Sequence, residues 1–389
     1  MAVWIDFCCA ELGAMRPVTI VGAGITGATI ARFLADGGVE VHVIEARDHL
    51  AGNCHTLRDA DTGILCHHYG PHIFHTNRVE VWDFVRRFAE FLPYRHRVLA
   101  RVGGRVYPLP INLLTLNQIF DAAMTPAEAA QFISQQSKGT GGNSFEAAAI
   151  ARIGPRLYEM FFKGYTQKQW GRDPRDLPAR VFSRLPVRFT YDDSYFDHPH
   201  QAQPRAGYTE MVKSMLDHPL ISLSLNRRFQ RGETQGQVFY SGTIDGYFRH
   251  CFGRLSYRTL EFEHRRETGS GQGCAVMNYC DASVPYTRVT EHRFFTPWAH
   301  HRKTILTREY ARDACAGDIP FYPLNALDGK ARLARYQALA ARETGVSFVG
   351  RLGTYRYLDM DVAIAEAISA AQDFLARNRA RASLDENTT

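Results

Sequence analysis

No uninterrupted apolar run in this 389-residue chain reaches the thickness of a bilayer core, so no segment reads as a membrane span. The eight cysteines (Cys8, Cys9, Cys54, Cys66, Cys251, Cys274, Cys280 and Cys315) form no Cys-x-x-Cys pair and no paired metal spacing. No basic n-region precedes them, and a reducing cytoplasm is the expected setting. No Ser-His-Asp or Cys-His set carries a local signature of nucleophilic catalysis, and no repeat or low-complexity tract is visible. Charge of one sign is not massed: 46 basic residues are spread among 40 acidic ones for a net charge of +6. That balance argues against a nucleic-acid coat and for local sites that hold a small anion. What remains is an ordinary globular composition, 45% hydrophobic and 22% charged, long enough for two or three domains. Residues 1–14 stand outside the fold argument, and Met15 is a second candidate start just before the first strand.

The stretch Val18-Thr-Ile-Val-Gly22-Ala-Gly24-Ile-Thr-Gly27, running on to Val41-His-Val-Ile-Glu45, has the order of a nucleotide-binding βαβ unit. Val18 to Val21 is a short apolar run of strand type, and Ile30, Phe33 and Leu34 repeat at helical spacing behind the glycines. Gly22 permits a tight turn, Gly24 lets a pyrophosphate approach the backbone, and Gly27 lets the helix lie close to the strand. Glu45 ends the second strand, where an acid can accept hydrogen bonds from a ribose diol. The bland alternative is a glycine turn that binds nothing; both strands, a helix and a spaced acid together favour a dinucleotide. NAD and FAD both fit these residues.

Further along, Ala51-Gly52-Asn53-Cys54-His55-Thr56 should return beneath the cofactor. His67, His68, His72 and His75 crowd the next segment, but no HExxH pattern or carboxylate partner accompanies them, and Gly70-Pro71 interrupts the run. They are expected to line a cofactor ring. Residues 79–136 read as helical, with a hairpin turn at Gly103-Gly104, and helical patterns recur around Leu113 to Met124 and Phe145 to Phe162. Tyr165-Thr-Gln-Lys-Gln-Trp170-Gly171 reads as the opening of an arginine-rich loop flanked by aromatics, suited to an anionic ligand with a planar ring. The bland alternative is a solvated linker whose Trp170 plugs the core. Short segments at 221–225, 237–240, 260–264, 274–279 and 292–296 read as strands, several of them antiparallel. The strand at 346–349, a glycine loop and the helix Val362 to Arg377 close the chain.

Seven segments in order resemble the UDP-galactopyranose mutases: Gly70-Pro-His-Ile-Phe-His-Thr, Tyr165-Thr-Gln-Lys-Gln-Trp, Gly242-Thr-Ile-Asp-Gly-Tyr-Phe, Tyr257-Arg-Thr-Leu-Glu-Phe-Glu, the run Asn278 to His292, Phe321-Tyr-Pro-Leu-Asn and Gly350-Arg-Leu-Gly-Thr-Tyr-Arg-Tyr-Leu-Asp-Met. The likeness spans Pro17 to about Leu375. It implies an α/β fold: a discontinuous Rossmann-like FAD-binding domain (residues 16–80, 206–255 and 340–389), an inserted helical domain (81–180, with a mobile loop at 170–184) and an antiparallel β-sheet domain (181–205 and 256–339). It also implies interconversion of UDP-galactopyranose and UDP-galactofuranose without net oxidation, through attack of reduced flavin N5 on the anomeric carbon. Such a reaction needs no protein nucleophile.

By the same resemblance Arg184 and Arg288 face the diphosphate, Tyr165 stacks on the uracil, and Trp170 lies over the galactose. Phe161 joins the substrate residues, and Tyr195, Tyr322 and Tyr357 match hydroxyl donors to the diphosphate. His72 and Asp359 match residues beside the flavin and substrate, while Arg351 matches a contact to the FAD pyrophosphate, joined by Asn53 and Met360. No metal, membrane or nucleic acid is implied; a homodimer is. Ala51 departs from the family, which usually has a glycine there, and Cys54-His55 is an unusual continuation. Two enzyme rivals are an amine-oxidase-type flavin oxidoreductase and a mutase acting on another nucleotide sugar. A non-catalytic FAD-bound regulatory protein is the rival from outside enzymology.

Overall fold

The computed structural model describes residues 17–137, 141–182, 187–324 and 329–386. Val18–Val21, rich in β-branched residues and buried throughout, is the central strand of a five-stranded parallel sheet. Its neighbours are Val41–Ile44 and then Ile221–Ser224 on one side, Val238–Tyr240 and then Val346–Phe348 on the other. Segments some three hundred residues apart thus share one sheet, which is the discontinuous, Rossmann-like arrangement expected. The helices Ile25–Asp36, Tyr208–Leu216 and Met360–Glu386 cover it, burying Ile30, Leu34, Met211, Met215, Ile364 and Phe374 in one core. Fully burying one such side chain stabilises by about 1.5–3 kcal/mol, an upper range for the transfer alone.

A seven-stranded sheet has the order Tyr322–Pro323, Tyr257–Thr268, Lys303–Asp313, Arg288–Glu291, Val276–Tyr279, Val98–Val102 and Arg105–Leu109. It is antiparallel except where Val276–Tyr279 runs parallel to Val98–Val102. The helical reading of residues 79–136 is therefore corrected in part: Val98, Ala100 and Val102 are buried in alternation, a period of two, and form a hairpin closed by Gly103-Gly104. Phe91–Pro93 is also a strand, in a three-stranded sheet with His200–Pro204 and Phe74–Thr76.

The expected strand at 292–296 is a single 3-10 turn, His292–Phe295, because the ladder lies just upstream at Arg288–Glu291, where neighbouring strands flank both sides. Tyr165–Trp170, read as a loop opening, belongs to the helix Gly164–Trp170 that continues from a π turn at Tyr158–Lys163. That helix ends at Gly171, which adopts φ 62°. The last helix is longer than expected, running Met360–Glu386. No helix among the described residues is long and apolar enough to cross a membrane.

Candidate active site

At the end of the first strand the chain turns so tightly that a Cβ on Gly27 would lie 1.9 Å from the Gly22 carbonyl oxygen. Gly24 caps the following helix without a side-chain bond, and a Cβ there would meet nothing nearer than Gly52 Cα at 3.8 Å. The first amides of that helix therefore face an open approach with the positive end of its dipole behind them. Glu45, 7% exposed, is fixed beside the turn by Ala23 N–H at 2.8 Å and Arg47 N–H at 2.9 Å.

Arg47 donates to Asn53 Oδ1 at 2.8 Å and lies 4.8 Å above the Tyr69 ring. Its Nη1 is buried without a partner, an orphaned donor of the kind a bound anion satisfies. The uncapped helix, the open face of Gly24 and this donor all suit a dinucleotide. Ala51, the departure from the family's glycine, sits at φ 70° with its N–H on the Ala23 carbonyl at 2.9 Å.

A second group of side chains gathers around Arg288. Its Nε and Nη2 both hold Glu309 Oε1 at 3.0 Å, and Glu309 is 2% exposed. Burial pushes the Glu309 carboxyl up, the guanidinium opposes that shift, and Arg288 stays charged. Tyr165, Tyr322 and Tyr195 all lie within its electrostatic reach. Burial, first among the causes, raises the Tyr165 and Tyr322 phenols, so both remain O–H donors. The Tyr322 and Tyr357 rings stack at 5.5 Å and 17°, and Trp170 approaches Tyr322 at 6.4 Å.

Arg351 lies 5.0 Å over the Tyr357 ring and 5.5 Å over Tyr322, and its Nη2 donates to the Leu358 carbonyl at 2.7 Å. The turn that carries Arg351 rests on the first helix's opening turn: a Cβ on Gly350 would lie 3.1 Å from Thr26 Oγ1. His72 lies within electrostatic reach of both Arg351 and Arg288. Desolvation, aided by those cations, lowers it to about 4. The neutral ring directs Nδ1 at the Gly70 carbonyl, 3.0 Å away, which makes Nδ1 the donor and leaves Nε2 an acceptor. Asp359 and Met360 follow at the start of the last helix, where the Asp359 carbonyl accepts from Ala363 N–H at 3.0 Å.

Arg184 lies outside the described residues. Phe161 is 3% exposed and packs edge-on to Tyr107 at 5.6 Å in a cluster of buried side chains that includes Tyr158 and Phe162. Reasoning on sequence missed Glu309, whose only signal is an acid at an inward register position between Thr307 and Ala311. It also missed Lys168, which sits inside Tyr165-Thr-Gln-Lys-Gln-Trp170 and donates to four backbone carbonyls. Burial pushes the thiols of Cys54, Cys66 and Cys280 up to about 12 and that of Cys274 to about 11. None of these four is a ready thiolate.

A family model described as UDP-galactopyranose mutase matches residues 160–357, just over half of the chain, and so takes in Tyr165, Trp170, Arg288, Glu309, Tyr322, Arg351 and Tyr357. The chain belongs to the UDP-galactopyranose mutase family. A second model, an NAD(P)-binding Rossmann-like domain, matches residues 20–88 and covers the glycine turn and Glu45. A probable UDP-galactopyranose mutase of Klebsiella pneumoniae is 49% identical over 364 residues, 92% of this chain and 95% of the relative. A dTDP-fucopyranose mutase of Escherichia coli is 46% identical over 376 residues, 94% of this chain and 100% of the relative. The fold matches a crystal structure of reduced UDP-galactopyranose mutase with a TM-score of 0.71 at 16% identity, over 92% of this chain and 95% of that one. A putative protoporphyrinogen oxidase from Exiguobacterium shares the fold at TM-score 0.65 and 12% identity, over 94% of this chain and 100% of that one. The protein is an enzyme of the mutase family on a flavoprotein fold.

Proposed function

We propose that this enzyme interconverts UDP-galactopyranose and UDP-galactofuranose, using FAD in its reduced form and with no net oxidation. The observation that carries the reading is the convergence of Arg288, Tyr165, Tyr195, Tyr322 and Trp170 beside the Arg351 turn. When bound, reduced FAD supplies the nucleophilic nitrogen for the anomeric carbon, a task for which the protein has no evident residue of its own.

The protein's part is to hold the nucleotide sugar and to stabilise the departing diphosphate. Arg288 is held in one orientation by Glu309, so its free N–H groups meet the growing charge with little reorganisation. Arg184 would serve as the second guanidinium. Tyr195, Tyr322 and Tyr357 offer phenolic donors, Tyr165 a ring for the uracil, and Trp170 a face for the galactose. On the cofactor side, Gly22, Gly24 and Gly27 admit the pyrophosphate with help from Arg351, and Glu45 takes the ribose diol. Asn53, Asp359 and Met360 flank that site, and neutral His72 keeps an acceptor toward the ring. The working enzyme is a cytoplasmic homodimer that acts on a small molecule, apart from membranes and nucleic acid.

Chromatography of flavin-loaded protein with UDP-galactofuranose, with and without dithionite, tests the reading. Conversion to UDP-galactopyranose only after reduction is expected; no conversion by the reduced, loaded enzyme would overturn the substrate assignment. The second reading is a dTDP-6-deoxyhexose substrate, favoured by 46% identity to the dTDP-fucopyranose mutase over that relative's whole length. Parallel incubation with dTDP-fucopyranose separates the two by their ratio of kcat/KM.

A further inference from the structure

Lys168 lies between two residues of the proposed substrate site, yet its side chain points away into backbone. Its Nζ donates to the carbonyl oxygens of Tyr279 at 2.7 Å, Asp281 at 3.0 Å, Val284 at 2.9 Å and Tyr286 at 3.1 Å. An ammonium has three hydrogens, so four oxygens around it share them as a cage shares a cation. Those carbonyls belong to one loop, the connection between Val276–Tyr279 and Arg288–Glu291. The lysine therefore ties the helix that carries Tyr165 and Trp170 to the loop that delivers Arg288.

Two more contacts close the same joint. A Cβ on Gly164, at the start of the helix, would lie 2.5 Å from the Cys280 carbonyl oxygen, so helix and loop touch backbone to backbone. At the helix's other end Arg258, 3% exposed, donates to the carbonyls of Gln169 at 2.9 Å and Lys168 at 3.0 Å. These are the carbonyls that a helix C-terminus leaves unpaired.

We infer that Lys168 is a positioning residue for nucleotide binding: by caging its ammonium in the 279–286 carbonyls it sets the spacing between the aromatic pair Tyr165/Trp170 and the diphosphate arginine Arg288. The inference rests on the proposed nucleotide-sugar site. It differs from a stability role in what it moves, since losing the tie should change affinity for the nucleotide and KM more than the melting temperature.

The test is equilibrium dialysis of UDP against the FAD-loaded enzyme, beside Lys168→Met, Lys168→Ala and Gly164→Ala variants. Losing hydrogen bonds from a charged donor is expected to raise the UDP Kd about tenfold in both lysine variants. Adding methylammonium, which fits the vacated carbonyl cage, should restore most of the affinity of Lys168→Ala, whereas tetramethylammonium, which has no N–H, should not. Gly164→Ala keeps the lysine but forces helix and loop apart, and should raise the Kd as well. An unchanged UDP Kd in folded variants, or a fall in melting temperature alone, overturns the inference. If the lysine variants fail to fold, Gly164→Ala decides: wild-type affinity there overturns it. Failure of the unmodified enzyme to bind UDP instead removes the proposed function on which the inference rests.

Discussion

Around the glycine turn, the proposed cofactor site is built from backbone: Gly22, Gly24 and Gly27 shape an opening, the helix amides face it, and Glu45 is held by the amides of Ala23 and Arg47. Around Arg288, the groups arrive on side chains from four separate segments: Glu309 from a neighbouring strand, Tyr165 and Trp170 from a helix, Tyr322 from an edge strand and Tyr357 from the irregular stretch before the last helix. At Gly27 the backbone-built site tolerates no added atom, because what a Cβ would strike is main chain. A site made of side chains tolerates small shape changes but not the loss of a charge partner.

The sharpest way to break the first half of that comparison is Gly27→Ala. The new methyl would meet the Gly22 carbonyl at 1.9 Å, and no side chain can move to relieve it. We expect a loss of at least about 3 kcal/mol in stability and no retained flavin, read from denaturant melts and the visible flavin spectrum. A yellow, stable variant would show that the turn is not the cofactor's cradle.

Glu309→Ala breaks the second half. It leaves a mostly buried guanidinium unpaired, at a cost of about 3 kcal/mol or more in stability. Turnover should fall as Arg288 loses its orientation. Glu309→Gln, which retains an acceptor, should fall between this variant and the wild type. Equal behaviour of the two substitutions would mean that only packing matters at this position.

A pH series sharpens the contrast, since the side-chain site and its surroundings hold buried neutral histidines. Histidine in the unfolded chain takes up a proton near pH 6.5, while burial holds His72 neutral down to about 4 and His96 and His292 down to about 3. Between those limits the unfolded chain binds more protons than the native one. Stability therefore rises with pH through this window and is lost as the pH falls from 6.5 toward 4. Each of these histidines adds up to about 1.4 kcal/mol per pH unit to the slope. Urea midpoints that stay flat from pH 7 to pH 5 would contradict this. The smallest expected effect returns to the backbone end: Ala51→Gly relieves a left-handed alanine and should add about 1 kcal/mol of stability by thermal or urea melts.

The same contrast explains what was legible in the sequence. A backbone-built site leaves its spacing in the chain, so Gly22, Gly24, Gly27 and Glu45 could be read directly. Arg288, Tyr322 and Arg351 were reached through ordered motifs that resemble a family. Glu309 was not, because a lone acid in an alternating strand gives no sign of which strand it will face. The Gly103-Gly104 hairpin turn was legible, but the strands it joins at 98–109 were masked by the helical pattern around them, although Val98, Ala100 and Val102 carry the period of a strand. The helix Gly164–Trp170 looked like a loop because its continuation depends on Arg258, nearly a hundred residues later, closing its last carbonyls.

The central claim is that Arg288 stabilises charge on the diphosphate as it leaves, and Arg288→Ala in the dithionite-reduced enzyme tests it most directly. The account predicts a fall of roughly a hundredfold in kcat, near 3 kcal/mol of transition-state stabilisation, with flavin content unchanged. Turnover at the wild-type rate by a flavin-loaded Arg288→Ala enzyme would contradict it.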